Sequence, residues 1–361
     1  MKVVIAPDKF AGTLTAAQAA ESIAAGWRSV RPDDELRISP MADGGEGLTQ
    51  VVADVVDGVT PHTLKVADAL GIEREATWLA LPDGRALVEC AQACGLSALA
   101  REQRDPRKTT SYGVGQLLLA ARDAGATEII VGLGGSATND GGAGMATALG
   151  HKLRRDDGNG VKVGGQYIAE LASVALAEPL GVPVVAAVDV TNPLLGPEGA
   201  TAIFGPQKGG TPQVLDELEQ AMTVFADIVE RDVPGGPWRE VPGAGAAGGL
   251  GFGLLAFCDG RIRGGADVVA ELVGFTDAVA GADVVITGEG KLDHQSEAGK
   301  APTFVRDTAR EHGAKVFAVA GQVTDGAGEA FDAWRELGPR GMVAAAELVT
   351  ERAAELAHTL E

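Results

Sequence analysis

Lys2-Val-Val-Ile-Ala-Pro-Asp-Lys-Phe-Ala-Gly-Thr-Leu-Thr-Ala-Ala-Gln18 decides the fold: an apolar, strand-like run from Lys2 to Ala6 empties through a short loop into a helix start. Thr15 stands at the N-cap with Gln18 three positions on, the capping-box spacing, and Ile23, Trp27 and Val30 then share one helical face. Leu36 and Ile38 alternate in a second short strand. After it, Met41-Ala-Asp-Gly-Gly-Glu-Gly47 leads into a helix with Leu48, Val51, Val52, Val55 and Val56 on its apolar side. Strand, helix, strand, helix is the opening of a doubly wound parallel sheet.

From about Thr60 the rhythm shifts to shorter segments with turn signals such as Pro82-Asp83-Gly84. This region holds an expected helix over 112–124 and expected strands over 128–133 and 184–188, and it closes in a loop-rich stretch, Pro242-Gly-Ala-Gly-Ala-Ala-Gly-Gly-Leu-Gly-Phe-Gly253. Regular alternation then resumes, with strands expected at 283–286 and 315–320 around a helix at 303–312. The pattern predicts an α/β protein: a Rossmann-like doubly wound parallel sheet domain, residues 1–62 plus 266–361, interrupted by an inserted α/β domain, residues 63–265. A length of 361 residues exceeds what one core usually supports. Only 4 % of residues are aromatic, so the cores draw on Val, Ile, Leu and Ala, which suits a parallel sheet buried on both faces.

A net charge of −20 argues against nucleic acid or an anionic membrane as partner, since both select basic faces. The start lacks the apolar core of a signal peptide, and no run nears the ~20 apolar residues of a membrane span. The expectation is a soluble cytoplasmic protein acting on small molecules, with a homodimer open to it. Cys90, Cys94 and Cys258 are an odd set in a long chain and read as small buried thiols.

Glu128-Ile-Ile-Val-Gly-Leu-Gly-Gly-Ser-Ala-Thr-Asn-Asp-Gly-Gly-Ala-Gly144 reads as a phosphate-handling loop, with Gly134, Gly135, Ser136, Asn139 and Asp140 after a strand. The same stretch matches the dinucleotide pattern, Gly132-Leu-Gly-Gly-Ser-Ala137, with Asp156 and Asp157 about 20 residues on. An NAD(P)-dependent dehydrogenase of a small hydroxy acid is therefore the alternative. Against it, Asp156-Asp-Gly-Asn-Gly160 looks like a turn, whereas a ribose-binding acid should end a second strand. A non-catalytic two-domain binding protein is a third option.

Four strand-like runs end in an acid: Asp8, Asp43, Asp189 and Glu289. Ligands of open α/β sheets bind outside the carboxyl ends of the strands, so these acids can serve a common site. Each also has a plain account; Asp43 with Glu46 is a capping-box pair. Thr287-Gly-Glu-Gly-Lys-Leu-Asp293 reads as a loop able to hold Mg²⁺ on Glu289 and Asp293 and to place Lys291 on a phosphate, or as a surface turn with a salt bridge. No P-loop signature occurs, and the histidines are dispersed; His294, beside this loop, is the one worth watching. Arg107-Lys-Thr-Thr-Ser111 and Phe204-Gly-Pro-Gln-Lys208 supply cations and hydroxyls. In-line positioning, a metal on phosphate oxygens and an acid to take the hydroxyl proton are the parts phosphoryl transfer needs, and scattered carboxylates suit Mg²⁺.

Taken together, Ala6-Pro-Asp-Lys-Phe-Ala-Gly-Thr-Leu-Thr15, Met41-Ala-Asp-Gly-Gly-Glu-Gly47, Gly132-Leu-Gly-Gly-Ser-Ala-Thr-Asn-Asp-Gly-Gly142, Asp189-Val-Thr-Asn-Pro-Leu-Leu-Gly196, Phe204-Gly-Pro-Gln-Lys-Gly209 and Thr287-Gly-Glu-Gly-Lys-Leu-Asp293 resemble the bacterial type I glycerate kinases. The motifs run in the family's order, through Gly299-Lys-Ala-Pro302. The resemblance implies ATP- and Mg²⁺-dependent phosphorylation of D-glycerate in an interdomain cleft, leaning toward 2-phosphoglycerate over 3-phosphoglycerate. It implies catalytic roles for Asp189, the preferred proton acceptor, Asp8 and Lys291. Mg²⁺ would fall to Asp43, Glu46, Glu289 and Asp293, and substrate or phosphate to Lys9, Gly134, Gly135, Ser136, Asn139, Asp140, Arg107, Ser111, Asn192 and Lys208. One departure stands out: the family's first loop usually reads Asp-Ser-Phe-Lys-Gly-Ser, whereas here Lys9 holds the serine position and Ala11 the lysine position. The two side chains leave the loop in different directions, so Lys9 replaces that lysine only approximately.

Overall fold

A computed structural model describes residues 1–293, 300–324 and 326–360; His294 and Gly299 lie outside the described residues. In chain order the strands are β1 (Lys2–Ile5), β2 (Glu35–Ile38), β3 (Thr60–Ala67), β4 (Glu73–Ala80), β5 (Ala86–Glu89), β6 (Ile129–Gly132), β7 (Lys152–Arg154), β8 (Ser173–Ala175), β9 (Val184–Ala187), β10 (Arg261–Arg263), β11 (Val284–Leu292), β12 (Lys315–Val323) and β13 (Ala333–Glu336). Two compact units form. The first comprises Met1–Asp43, Gln50–Asp57 and Gly264–Glu361; the second comprises Gly44–Thr49 and Gly58–Arg263.

The first unit carries a parallel sheet in the order β13-β12-β11-β1-β2, with Ile5 in register with Ile286 on one side and Ile38 on the other. Strand side chains alternate between faces. Val3, Ile5, Val284, Ile286, Phe317 and Val319 meet the helices Ala16–Val30 and Ala345–His358, through Ala20, Ile23, Trp27, Val349 and Leu356. The alternate residues Val4, Val285 and Ala318 are equally buried and face the other way, which is why these runs are apolar throughout. Helix Ala301–Glu311 lies against β11 and β12. The capping box forms as expected: the Gln18 amide donates to Thr15 Oγ1 at 3.2 Å and the Thr15 amide to Gln18 Oε1 at 3.0 Å.

One expectation is overturned here. The Thr287–Leu292 stretch continues β11 beside β12, with Glu289 opposite Ala320 and Lys291 opposite Gln322. Its glycines make room rather than turns: a Cβ on Gly288 would stand 2.1 Å from the Val319 carbonyl oxygen, and one on Gly290 3.1 Å from the Ala11 amide.

The second unit carries a sheet in the order β10-β9-β6-β5-β4-β3, parallel from β10 to β5 and antiparallel at β4 and β3, and a separate β7-β8 pair. Val88, Val131 and Ala186 join Val114, Leu117, Phe225 and Phe252 in its core. The expected loop at 242–253 gives way to a helix, Ala246–Cys258, that starts through left-handed backbone at Ala247, Gly248 and Gly249. This helix is apolar all round and buried, so it lacks the amphipathic period that marks a surface helix. The three cysteines are buried thiols. No helix among the described residues is long and apolar enough to cross a membrane.

Candidate functional site

In the first unit, ladder bonds run on beyond the strands: Ala6 N–H donates to the Ile286 carbonyl at 2.7 Å, Asp8 N–H to Gly288 at 2.8 Å, Ser39 N–H to Ile5 at 2.8 Å and Met41 N–H to Pro7 at 2.9 Å. Asp43 and Asp8 therefore lie beyond the carboxyl ends of β2 and β1, and Glu289 lies in the last residues of the neighbouring β11, level with Asp8. The chain leaves β1 toward β2 on one side, while β11, β12 and β13 extend on the other, so the β1–β11 junction is the topological switch point where such sheets bind ligands. Asp8 and Glu289 are buried. Burial, and then the charge of Asp43, push the Asp8 carboxyl from 3.8 up to about 7; the Lys9 charge and the Lys9 N–H bond to Asp8 Oδ1 at 2.6 Å oppose this, and Glu289 adds to it.

This crowding of carboxylates is a hard-oxygen donor set that a divalent cation would relieve. Among the described residues no three acid, histidine or cysteine groups converge as a ready ligand set. The arrangement fits Mg²⁺, which takes one or two carboxylates and completes its octahedron with water and phosphate oxygens, better than a metal needing an all-protein cage. Lys291, half-exposed, pairs with Asp293 at 3.0 Å, and Lys300 stands 4.0 Å from the same carboxylate.

In the second unit β6 opens into the glycine loop and the adjacent β9 into Asp189, which is half-buried just past the strand. A Cβ on Gly134 would stand 2.3 Å from Gly45 Cα, so this glycine admits a neighbouring backbone segment. The loop's polar groups largely answer one another. The buried Asp140 carboxylate accepts from Ser111 N–H (2.8 Å), Ser111 Oγ (3.0 Å), Gly142 N–H (3.1 Å) and Gly144 N–H (3.2 Å). Burial raises its pKa and these bonds lower it. Asp140 thus occupies the start of the helix Ala143–Ala148, where the sequence suggests a phosphate, and Ser111 Oγ accepts the Met145 amide at 3.0 Å.

Lys208 is buried within the same cluster, donating to the Thr138 carbonyl at 2.6 Å and to Ser136 Oγ at 3.2 Å. Burial lowers its pKa to about 8, against the pull of Cys94, Cys90 and Asp140. Asn139 Nδ2 donates to Thr201 Oγ1 at 3.1 Å, while its buried Oδ1 has no partner among the described residues. Asn192 Nδ2 holds the Glu198 carbonyl at 2.7 Å. Arg107 closes a two-pronged pair on Asp105, both contacts at 2.9 Å, which holds that carboxyl near 2. Glu46 accepts from Ser97 Oγ at 2.6 Å.

Glu89, absent from the sequence expectations, ends β5 and accepts from Gly47 N–H (3.0 Å), Thr49 N–H (3.0 Å) and Thr49 Oγ1 (2.9 Å) while almost wholly buried. It anchors the start of helix Leu48–Val55. Its signal, an apolar strand run ending in an acid, matches the other four, but no glycine loop follows it. The dinucleotide alternative is not favoured: Asp156 and Asp157 lie in an exposed turn after β7, outside the β6 sheet, with Asp157 turned back onto Asn159 and Arg155.

The glycerate kinase family model matches residues 3–360. A glycerate kinase of Bacillus subtilis strain 168 is 44 % identical over 329 residues, covering 90 % of this chain and 86 % of its own length. A glycerate 2-kinase of Escherichia coli strain K12 is 40 % identical over 337 residues, covering 91 % of this chain and 87 % of its own. The crystal structure of a protein assigned as glycerate kinase 2 from Salmonella typhimurium LT2 superposes with a TM-score of 0.86 at 39 % identity, over 100 % of this chain and 98 % of that one. A family match over nearly the whole chain, with relatives this similar, shows that the chain belongs to the glycerate kinase family.

Proposed function

We infer that the protein transfers the γ-phosphoryl group of ATP to a hydroxyl of D-glycerate with the help of Mg²⁺, releasing ADP and 2-phosphoglycerate. Family membership makes it a phosphotransferase with an alcohol acceptor, and the similarity to a glycerate 2-kinase favours the C2 hydroxyl over C3. The observation that most supports the chemistry is the trio Asp43, Asp8 and Glu289 at adjacent strand ends, with Asp8 pushed up to about 7 by burial and like charge.

In this reading one or two carboxylates of the Asp8, Asp43 and Glu289 group would hold Mg²⁺, with water and phosphate oxygens as its other ligands, and the ion would supply charge neutralisation for in-line transfer. Asp189 accepts the proton of the attacking hydroxyl. Lys208, enclosed in its own hydrogen bonds, holds Ser136 and Thr138 in place rather than reaching for phosphate.

Incubation with ATP, Mg²⁺ and D-glycerate, followed by phosphorus NMR, tests the reading. ADP together with a 2-phosphoglycerate resonance is the expected result; a 3-phosphoglycerate resonance would overturn the regiochemistry, and absence of turnover the activity. Asp189→Asn is expected to cut turnover by about 10²-fold or more, in line with loss of a general base, with the fold intact by circular dichroism. Near-normal turnover would remove Asp189 from the role.

A further inference from the structure

The first unit encloses a cavity of about 380 Å³ where the carboxyl ends of β1, β11, β12 and β13 meet. Gly290, Gly321, Gly338 and Gly341 line it with backbone. Phe10, Leu337 and Met342 give it apolar walls, and Thr13, Gln322 and Glu336 are its polar side chains. Among the described residues no cationic side chain lines it. A phosphate or the glycerate carboxylate would find no charge partner there, and a three-carbon acid would leave most of the volume empty.

An uncharged heteroaromatic base with its ribose fits on every count. The volume lies within the ~300–1,000 Å³ of small-molecule sites. The Gln322 amide both donates and accepts, as a base edge requires, and the Glu336 carboxylate accepts from ribose hydroxyls, as acids at strand ends do in dinucleotide folds. Met342, 71 % exposed at the rim, offers an apolar surface that a bound base would cover. The placement is also consistent with the phosphates. Phe10 lies two residues beyond Asp8 and Gly290 directly follows Glu289, so a nucleoside seated here sends its phosphate chain toward the carboxylates assigned to Mg²⁺.

We propose that this cavity seats the base and ribose of the phosphoryl donor; the proposal rests on the kinase reading above. The full chain is titrated with ADP and, separately, with inorganic tripolyphosphate, which lacks base and ribose, by isothermal calorimetry. Gln322→Trp puts a bulky ring into the cavity from an exposed position, and Glu336→Ala deletes the carboxylate. The first is expected to weaken ADP by about tenfold or more and the second by a few-fold, as lost stacking and hydrogen bonds dictate. Tripolyphosphate affinity and the KM for glycerate should stay within about twofold, because neither probe uses the cavity. Circular dichroism reports folding, and Glu336→Ala decides the matter if Gln322→Trp does not fold. If the wild type consumes ATP yet both variants bind ADP like the wild type, the cavity is overturned and the kinase reading stands. Equal weakening of ADP and tripolyphosphate also overturns it. A wild type that neither binds ADP nor consumes ATP removes both readings.

Discussion

Asp8→Asn isolates the tension among the carboxylates of the first unit. Its carboxyl is pushed from 3.8 to about 7, a difference of about 3 units, and each unit is worth about 1.36 kcal/mol, so the ionised side chain costs the fold up to about 4 kcal/mol. Asp43 and Glu289 share that repulsion and relax when Asp8 is neutral, so a net gain of about 2–4 kcal/mol is expected above pH 7. The sign follows from proton binding. Between about pH 4 and pH 7 the native state holds a proton that the unfolded chain has released, so wild-type stability falls as pH rises through this window and levels off above it. The asparagine cannot titrate, and its Oδ1 can still accept the Lys9 amide. The variant should therefore lack this decline, match the wild type near pH 4 and melt higher at pH 8, while losing kinase activity. Mg²⁺ should raise the wild-type melting temperature at pH 8 and raise that of the variant much less, since a cation stabilises only the state that binds it. Denaturant melts at stepped pH, with and without Mg²⁺, provide the measurement. Parallel pH profiles for the two proteins, or a variant less stable at pH 8, would refute the argument.

Glu89→Gln keeps the shape but removes the charge from three buried hydrogen bonds; a loss of about 1.5–3 kcal/mol is expected, and an unchanged melting temperature would show that the anchor is dispensable. Gly134→Ala sets a methyl 2.3 Å from Gly45 Cα and should cost about 3 kcal/mol or more. Gly158→Ala, in an open turn with nothing within 4 Å but a φ of +79°, should cost only about 1–2 kcal/mol; equal melts for the two would contradict the close-approach account. Lys208→Met leaves the Thr138 carbonyl and Ser136 hydroxyl without their buried donor. It should destabilise by about 1–3 kcal/mol and lower kcat more than it raises KM, whereas a rise in KM alone would return Lys208 to direct substrate binding.

Much of the fold is legible because local and global signals agree. Thr15 and Gln18 announce the first helix through a bond between near neighbours, and Val3-Val-Ile5 announces a strand buried on both faces because no position in it tolerates water. Where the signals part, the sequence misleads. Ala246–Cys258 is enclosed on all sides, so the amphipathic period that would reveal a helix is absent. Gly288 and Gly290 look like turn residues, yet they sit in β11 because the Val319 carbonyl and the Phe10–Ala11 backbone occupy the space a side chain would need. A glycine's φ freedom and its lack of volume are separate reasons for its use, and sequence does not distinguish them.

The site divides along the same line. The first-unit acids are legible because strand ends of parallel sheets point one way, so a pattern of apolar runs ending in Asp or Glu carries position as well as chemistry. The glycine loop carries chemistry without position. Its sequence offers donors, acceptors and a helix start, but nothing in it tells that Asp140 already stands at that helix start, or that a lysine some 70 residues on is buried against Thr138 and Ser136. Once those partners are known, the charge balance of the reaction changes. Lys208 answers the loop, Arg107 answers Asp105 and Lys291 answers Asp293, so these three cations are already engaged by protein acceptors. In a chain of net charge −20, the proposed reaction would then rely chiefly on a divalent ion to neutralise a triphosphate, and the carboxylates crowded at the β1–β11 switch point would be the groups to hold it.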